Sequence, residues 1–107
     1  MERRKSVRYQ LEIPAVFRWE DGSGMRFQGE GVTRDVSDVG AYVFTASCPP
    51  FQTEVEIEIV LSSKLPGTPK ARLEGTMQVL RREDDRRGGF GFSLAGKAFS
   101  LRPAAKK

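Results

Sequence analysis

Two clusters of polar residues in this 107-residue chain have the types and spacing to do chemistry. The first is a basic run near the start, Arg3-Arg4-Lys5-Ser6-Val7-Arg8. A guanidinium grips phosphate through a two-pronged fork, stacks on aromatic rings, and donates two hydrogen bonds to guanine O6 and N7. Arg4 and Arg8, four positions apart on one arm, have the reach to hold a compact ligand from two sides. The second cluster is Asp35-Val36-Ser37-Asp38-Val39-Gly40. Asp and Ser side chains bond backbone amides, and glycine tolerates positive φ, so the segment is first of all a turn between strands. The same turn, read as exposed, offers a carboxylate that accepts the N–H donors of a guanine Watson–Crick edge. It also offers a hydroxyl that donates to a phosphate oxygen, and a glycine that admits close approach. The complementary ligand is anionic and carries a guanine-like edge.

Other chemistry is poorly provided for. The chain contains no histidine and a single cysteine. It shows no metal-ligand spacing and no Gly-rich phosphate loop leading into a helix, so an enzyme is not expected, nor any cofactor or metal. Cys48 can form no internal disulfide, and it reads as a small half-buried apolar residue. A net charge of +4 suits a phosphate-bearing ligand as well as a merely well-solvated protein. No apolar run approaches a membrane span, and the basic start is not followed by an apolar segment, so the expected address is the cytoplasm.

The elements that must position these residues are strands. Leu11, Ile13, Ala15, Phe17 and Trp19 alternate with polar neighbours, with Pro14 implying an edge or a bulge. Glu20–Gly24 is a turn. Met25–Val36 is a second strand in which Gly29 and Gly31 suggest strong coiling of the sheet or a bulge. After the Asp35–Gly40 turn comes Ala41–Thr45, rich in β-branched and aromatic residues. Glu54–Leu61 alternates most clearly, with Val55, Ile57, Ile59 and Leu61 on one face. Ser62–Pro69 is a loop, Lys70–Arg82 alternates again, Glu83–Gly89 is a charged hairpin tip, and Phe90–Leu94 closes the set. Ala95–Leu101 has room for one or two helical turns. The pattern predicts an all-β fold, a small six-stranded antiparallel β-barrel with a short or absent C-terminal helix. Its organisation is an arm over residues 1–10, a barrel domain over 11–102 and a tail over 103–107.

Arg4-x-x-x-Arg8 followed by Asp35-x-Ser37-x-x-Gly40 resembles the paired motifs of the PilZ domain, a bacterial receptor for cyclic di-GMP. The resemblance extends to Gly75-x-Met77-x-Val79 ahead of the charged hairpin and to Gly89-Phe90-Gly91-Phe92, which look like that family's closing strands. It implies a split-barrel type of fold with the arm folding over the barrel mouth. Arg4 and Arg8 would hold guanine and phosphate, and Asp35, Ser37 and Gly40 would form the opposing wall. The residue just before the arginine pair, here Arg3, is a further donor and leans towards binding a stacked ligand pair. Many relatives end in a longer helix packed on the barrel; here the chain stops soon after Phe99 and Leu101, so that helix is expected to be short or absent. The resemblance further implies a downstream protein effector, and a monomer or ligand-linked dimer, with no DNA partner. A second reading is a basic β-barrel that stacks single-stranded nucleic acid on Trp19, Phe27 and Tyr42.

Overall fold

The structure, a computed structural model, describes residues 9–61, 71–85 and 89–103. Arg3, Arg4 and Arg8, the 62–69 loop, residues 86–88 of the hairpin tip and the 104–107 tail lie outside the described residues. Seven strands follow one another: β1 (Pro14–Glu20), β2 (Arg26–Val36), β3 (Gly40–Thr45), β4 (Glu54–Leu61), β5 (Ala71–Asp85), β6 (Gly89–Gly96) and β7 (Ser100–Pro103). Hydrogen-bonded neighbours run β4-β1-β2-β3-β6-β5, and β4 also pairs with β5, so six strands close into the expected antiparallel barrel. Closure leaves no unpaired edge within the ring, which is how a small β domain avoids edge-to-edge association. Among the described residues no helix is long and apolar enough to cross a membrane.

Alternation decides which side chains fill the barrel. Along β4, Val55, Ile57 and Ile59 are buried while Glu54 and Glu56 face solvent. From β1 come Ala15 and Phe17, from β3 Ala41 and Val43, from β5 Met77 and Val79, and from β6 Phe92 and Leu94. The rings of Phe17 and Phe92 meet edge to face at the centre, 5.1 Å between centroids. Each such side chain contributes roughly 1.5–3 kcal/mol by leaving water. Cys48 is half-buried and packs against this core, as its type suggested. The Glu20–Gly24 turn forms as expected: the Asp21 carboxylate accepts hydrogen bonds from Ser23 N, Ser23 Oγ and Met25 N, and Gly24 takes φ +87°.

Three local expectations are corrected. Strand β1 is not an edge, because it pairs with both β2 and β4. Pro14 is tolerated because it is the first residue of the strand, ahead of the β4 pairing that begins at Ala15. The bulge in β2 falls not at the glycines but at Arg34, where the register with β3 shifts between Thr33 and Asp35. Gly29 instead makes room for Phe17, whose ring carbon Cε1 would sit 2.6 Å from an added Cβ. Finally, the segment read as capable of helical turns, Ala95–Leu101, is extended. It finishes β6 and begins β7, which pairs with Ala71–Glu74 of β5. Strand β6 pairs with β5 only from Met77 onward, so the 71–74 edge carries unmet donors and acceptors that a strand satisfies and a single helical turn cannot.

Candidate functional site

Strand β2 ends at Val36 and β3 starts at Gly40, and the corner between them is tightly hydrogen-bonded. Ser37 N donates to the Gly40 carbonyl at 2.9 Å. The Ser37 hydroxyl accepts from Val39 N at 3.2 Å and donates to the Gly40 carbonyl at 3.4 Å. The chain after β6 packs against the corner: Gly96 N donates to the Val39 carbonyl and Phe99 N to the Asp38 carbonyl, at 3.0 and 2.9 Å. Gly40 itself is not in the left-handed region; among the described glycines that conformation belongs to Gly24. Its role is close approach, since a Cβ at position 40 would strike the carbonyl oxygen of Leu94 on β6. The expectation of an exposed carboxylate and hydroxyl is also corrected. Asp35 and Ser37 are 6% and 7% exposed, because the corner is folded back against neighbouring strands rather than projecting from the rim.

The root of the arginine arm is fixed beside this corner. Tyr9 N donates to the Val36 carbonyl at 2.7 Å and Val36 N to the Tyr9 carbonyl at 2.9 Å, an antiparallel bridge outside the named strands. Val36 lies between Asp35 and Ser37. The buried Thr33 secures the next turn of chain: its hydroxyl donates to the Leu11 carbonyl and accepts from Ile13 N, and its own amide donates to the Ile13 carbonyl. The structure therefore brings Asp35, Ser37 and Gly40 together, with residue 9 pinned against them, while the three arginines lie outside what it describes.

Three residues around Asp35 escaped the sequence reading. Tyr42 pairs with Asp35 across β2 and β3, and it alternates with the core residues Ala41 and Val43, so it stands on the outer face of the barrel. It is nonetheless only 4% exposed. Gly91 leaves a slot for its ring; a Cβ there would overlap the Tyr42 hydroxyl. The hydroxyl donates to Glu83 Oε1 at 2.6 Å. Burial, and after it the bond to and charge of Glu83, push the phenol up to about 12, so it stays a neutral donor. Arg34 also lies over the ring, its guanidinium carbon 4.1 Å from the centroid, with Nε donating to Asp35 Oδ2 at 2.7 Å. An arginine directly before the aspartate was the available signal, but nothing in the sequence marks position 34 as the bulge that turns its side chain onto that face.

The aromatic platforms of the nucleic-acid reading do not share a surface. Trp19 and Phe27 stack on each other, 5.4 Å between centroids, beside a cleft of about 730 Å³ bordered by Arg18, Glu20, Asp21 and Arg26. Phe27 and Asp35 are eight residues apart on β2, about 26 Å at 3.3 Å per residue. Tyr42, opposite Asp35, is therefore remote from the Trp19 pair and has no open face on which a base could stack.

The family model described as PilZ domain matches residues 2–102, nearly the whole chain. No curated protein and no solved structure matches it.

Proposed function

The chain belongs to the PilZ domain family, a family of cyclic di-GMP receptors, and from that premise we propose that it binds cyclic di-GMP between its arginine arm and the Asp35–Gly40 corner. Arg4 and Arg8, with Arg3 as a further donor, clamp phosphate and guanine through bidentate hydrogen bonds. Asp35 accepts the N1–H and N2–H of one guanine, which requires its carboxylate, 6% exposed, to be uncovered as the ligand enters. The Ser37 hydroxyl, already accepting from Val39 N, turns its proton from the Gly40 carbonyl to a phosphate oxygen. Gly40 acts by keeping the corner flush against β6.

The observation that carries the proposal is the Tyr9–Val36 bridge, which supports an arm whose base sits within the binding corner rather than elsewhere on the barrel. Binding then proceeds with ordering of the arm, and the ordered arm and ligand together form the surface offered to a protein effector. Ordering the arm costs part of the gross interaction energy, so the expected affinity is about micromolar, roughly −8 kcal/mol.

Isothermal titration of the full chain with cyclic di-GMP at low salt tests this. A micromolar isotherm is expected, with a ratio of two ligands per chain if Arg3 favours a stacked pair. Arg4→Ala and Arg8→Ala should each abolish the heat while leaving the melting temperature near that of the wild type. No heat at tens of micromolar protein, or two variants that bind like the wild type, would remove the proposal.

A further inference from the structure

Arg34 belongs to neither motif, yet its side chain reaches solvent directly beside the buried Asp35 and Tyr42. Its side chain is 52% exposed, against 8% for that of Asp35. Two contacts hold its orientation. Nε is bonded to Asp35 Oδ2 at 2.7 Å, and the guanidinium carbon lies over the Tyr42 ring, 4.1 Å from its centroid. Tyr42 cannot swing away, because its hydroxyl is held by Glu83 and its ring is seated against Gly91. A guanidinium stacked on a fixed ring and tied to a carboxylate has lost most of its rotamer freedom before any ligand arrives, which lowers the cost of using it. The bond through Nε leaves the two terminal nitrogens as the donors at the tip of the side chain.

Resting on the receptor reading above, we infer that Arg34 determines the choice of base: its terminal nitrogens donate to guanine O6 and N7 while Asp35 accepts from N1–H and N2–H of the same base. The geometry follows from guanine itself. N1 and O6 are adjacent on one edge, so a reader of the donors and a reader of the acceptors must be adjacent too, as a carboxylate and a guanidinium in direct contact are. Adenine carries an N6 amino group in place of O6, so it presents a donor to the Arg34 donors and no N1–H to Asp35. The pair therefore attracts guanine and opposes adenine at once, the combination that gives strong discrimination.

The test is titration of the full-length wild type, Arg34→Ala and Arg34→Lys with cyclic di-GMP and with cyclic di-AMP, with melting curves alongside. The wild type should prefer cyclic di-GMP. Arg34→Ala should weaken cyclic di-GMP about tenfold or more and cyclic di-AMP much less, so that the preference narrows. Arg34→Lys keeps the charge beside Asp35 but lacks the planar fork, so it should remain folded even if the alanine variant does not, and should also lose preference. A wild type without preference, a variant that binds both dinucleotides as the wild type does, or an equal loss for both would overturn the role of Arg34 and leave the receptor reading standing. A wild type that binds neither dinucleotide would overturn both.

Discussion

Gly40 is the motif residue whose function divides most cleanly between ligand contact and architecture, and Gly40→Ala separates the two. A Cβ at this position would lie well inside 3.0 Å of the Leu94 carbonyl oxygen and 3.5 Å from Ala95 Cα. The clashing atom is main chain of β6, the strand that pairs with β3 from Gly40↔Ala95 to Thr45↔Phe90, so no side chain can rotate away to relieve the contact. Relief requires β3 and β6 to part locally, which strains the Ser37 N to Gly40 carbonyl bond and the Gly96 N to Val39 carbonyl bond as well. Overpacking of this kind costs about 1–3 kcal/mol. In a domain of about 100 residues each kcal/mol lowers Tm by about 4–8 °C, so a fall on the order of 5–20 °C is expected. Thermal unfolding followed by circular dichroism without ligand is the assay. If Gly40→Ala melts with the wild type and loses only its affinity for cyclic di-GMP, the glycine serves the ligand and the packing argument is refuted.

Phe17→Ala should cost about 3–5 kcal/mol, seen as a lower urea midpoint at unchanged m-value, because its ring is fully buried against Phe92; Phe27→Ala, on a half-exposed ring, should cost much less. The raised pKa of Tyr42 has a definite sign: the folded state keeps a proton that the unfolded chain releases near pH 10. Its contribution to stability is thus whole below pH 10 and is lost as pH climbs towards about 12. Tyr42→Phe should flatten stability over that window in denaturation curves taken at successive pH values. At the acid end, the Asp21 carboxyl is held below its usual 3.8 first by the Ser23 hydroxyl and then by the amides of Met25 and Ser23. Its contribution is present above pH 3.8 and fades as pH falls through the lowered value, a component that Asp21→Asn should remove from the acid limb.

What the sequence disclosed depended on how far apart the cooperating residues are. Val55, Ile57 and Ile59 announce a half-buried strand because the alternation is written within eight consecutive residues. Likewise, Asp35, Ser37 and Gly40 lie within one turn and could be read as a unit. The bulge at Arg34 could not, because it arises from the register of β2 against β3, and no local preference distinguishes position 34 from the glycines nearby. Strand β7 was hidden for a similar reason. Ser100–Pro103 has little strand character of its own, and it is extended because β5 outruns β6 and leaves an edge to be met. The burial of Tyr42 on the outside of the barrel rests on Gly91 and Glu83, residues roughly forty to fifty positions away. The burial of Asp35 and Ser37 is not legible locally, because it depends on Tyr42 across the β2–β3 register and on the corner's own hydrogen bonds.

The Tyr9–Val36 bridge ties the chain to the corner one residue after Arg8, so covalent geometry alone sets the length of the leash. At a maximum of about 3.6 Å per residue, the backbone of Arg8 lies within about 4 Å of that tether and that of Arg4 within about 18 Å, so on the receptor reading their local concentration at the corner is independent of the dilution of the protein. Flexible residues spliced between Arg8 and Tyr9 would lengthen the leash without altering any contact group, and the affinity for cyclic di-GMP should then decline gradually with insert length, as it does for a tethered reactant and not for a rigid pocket.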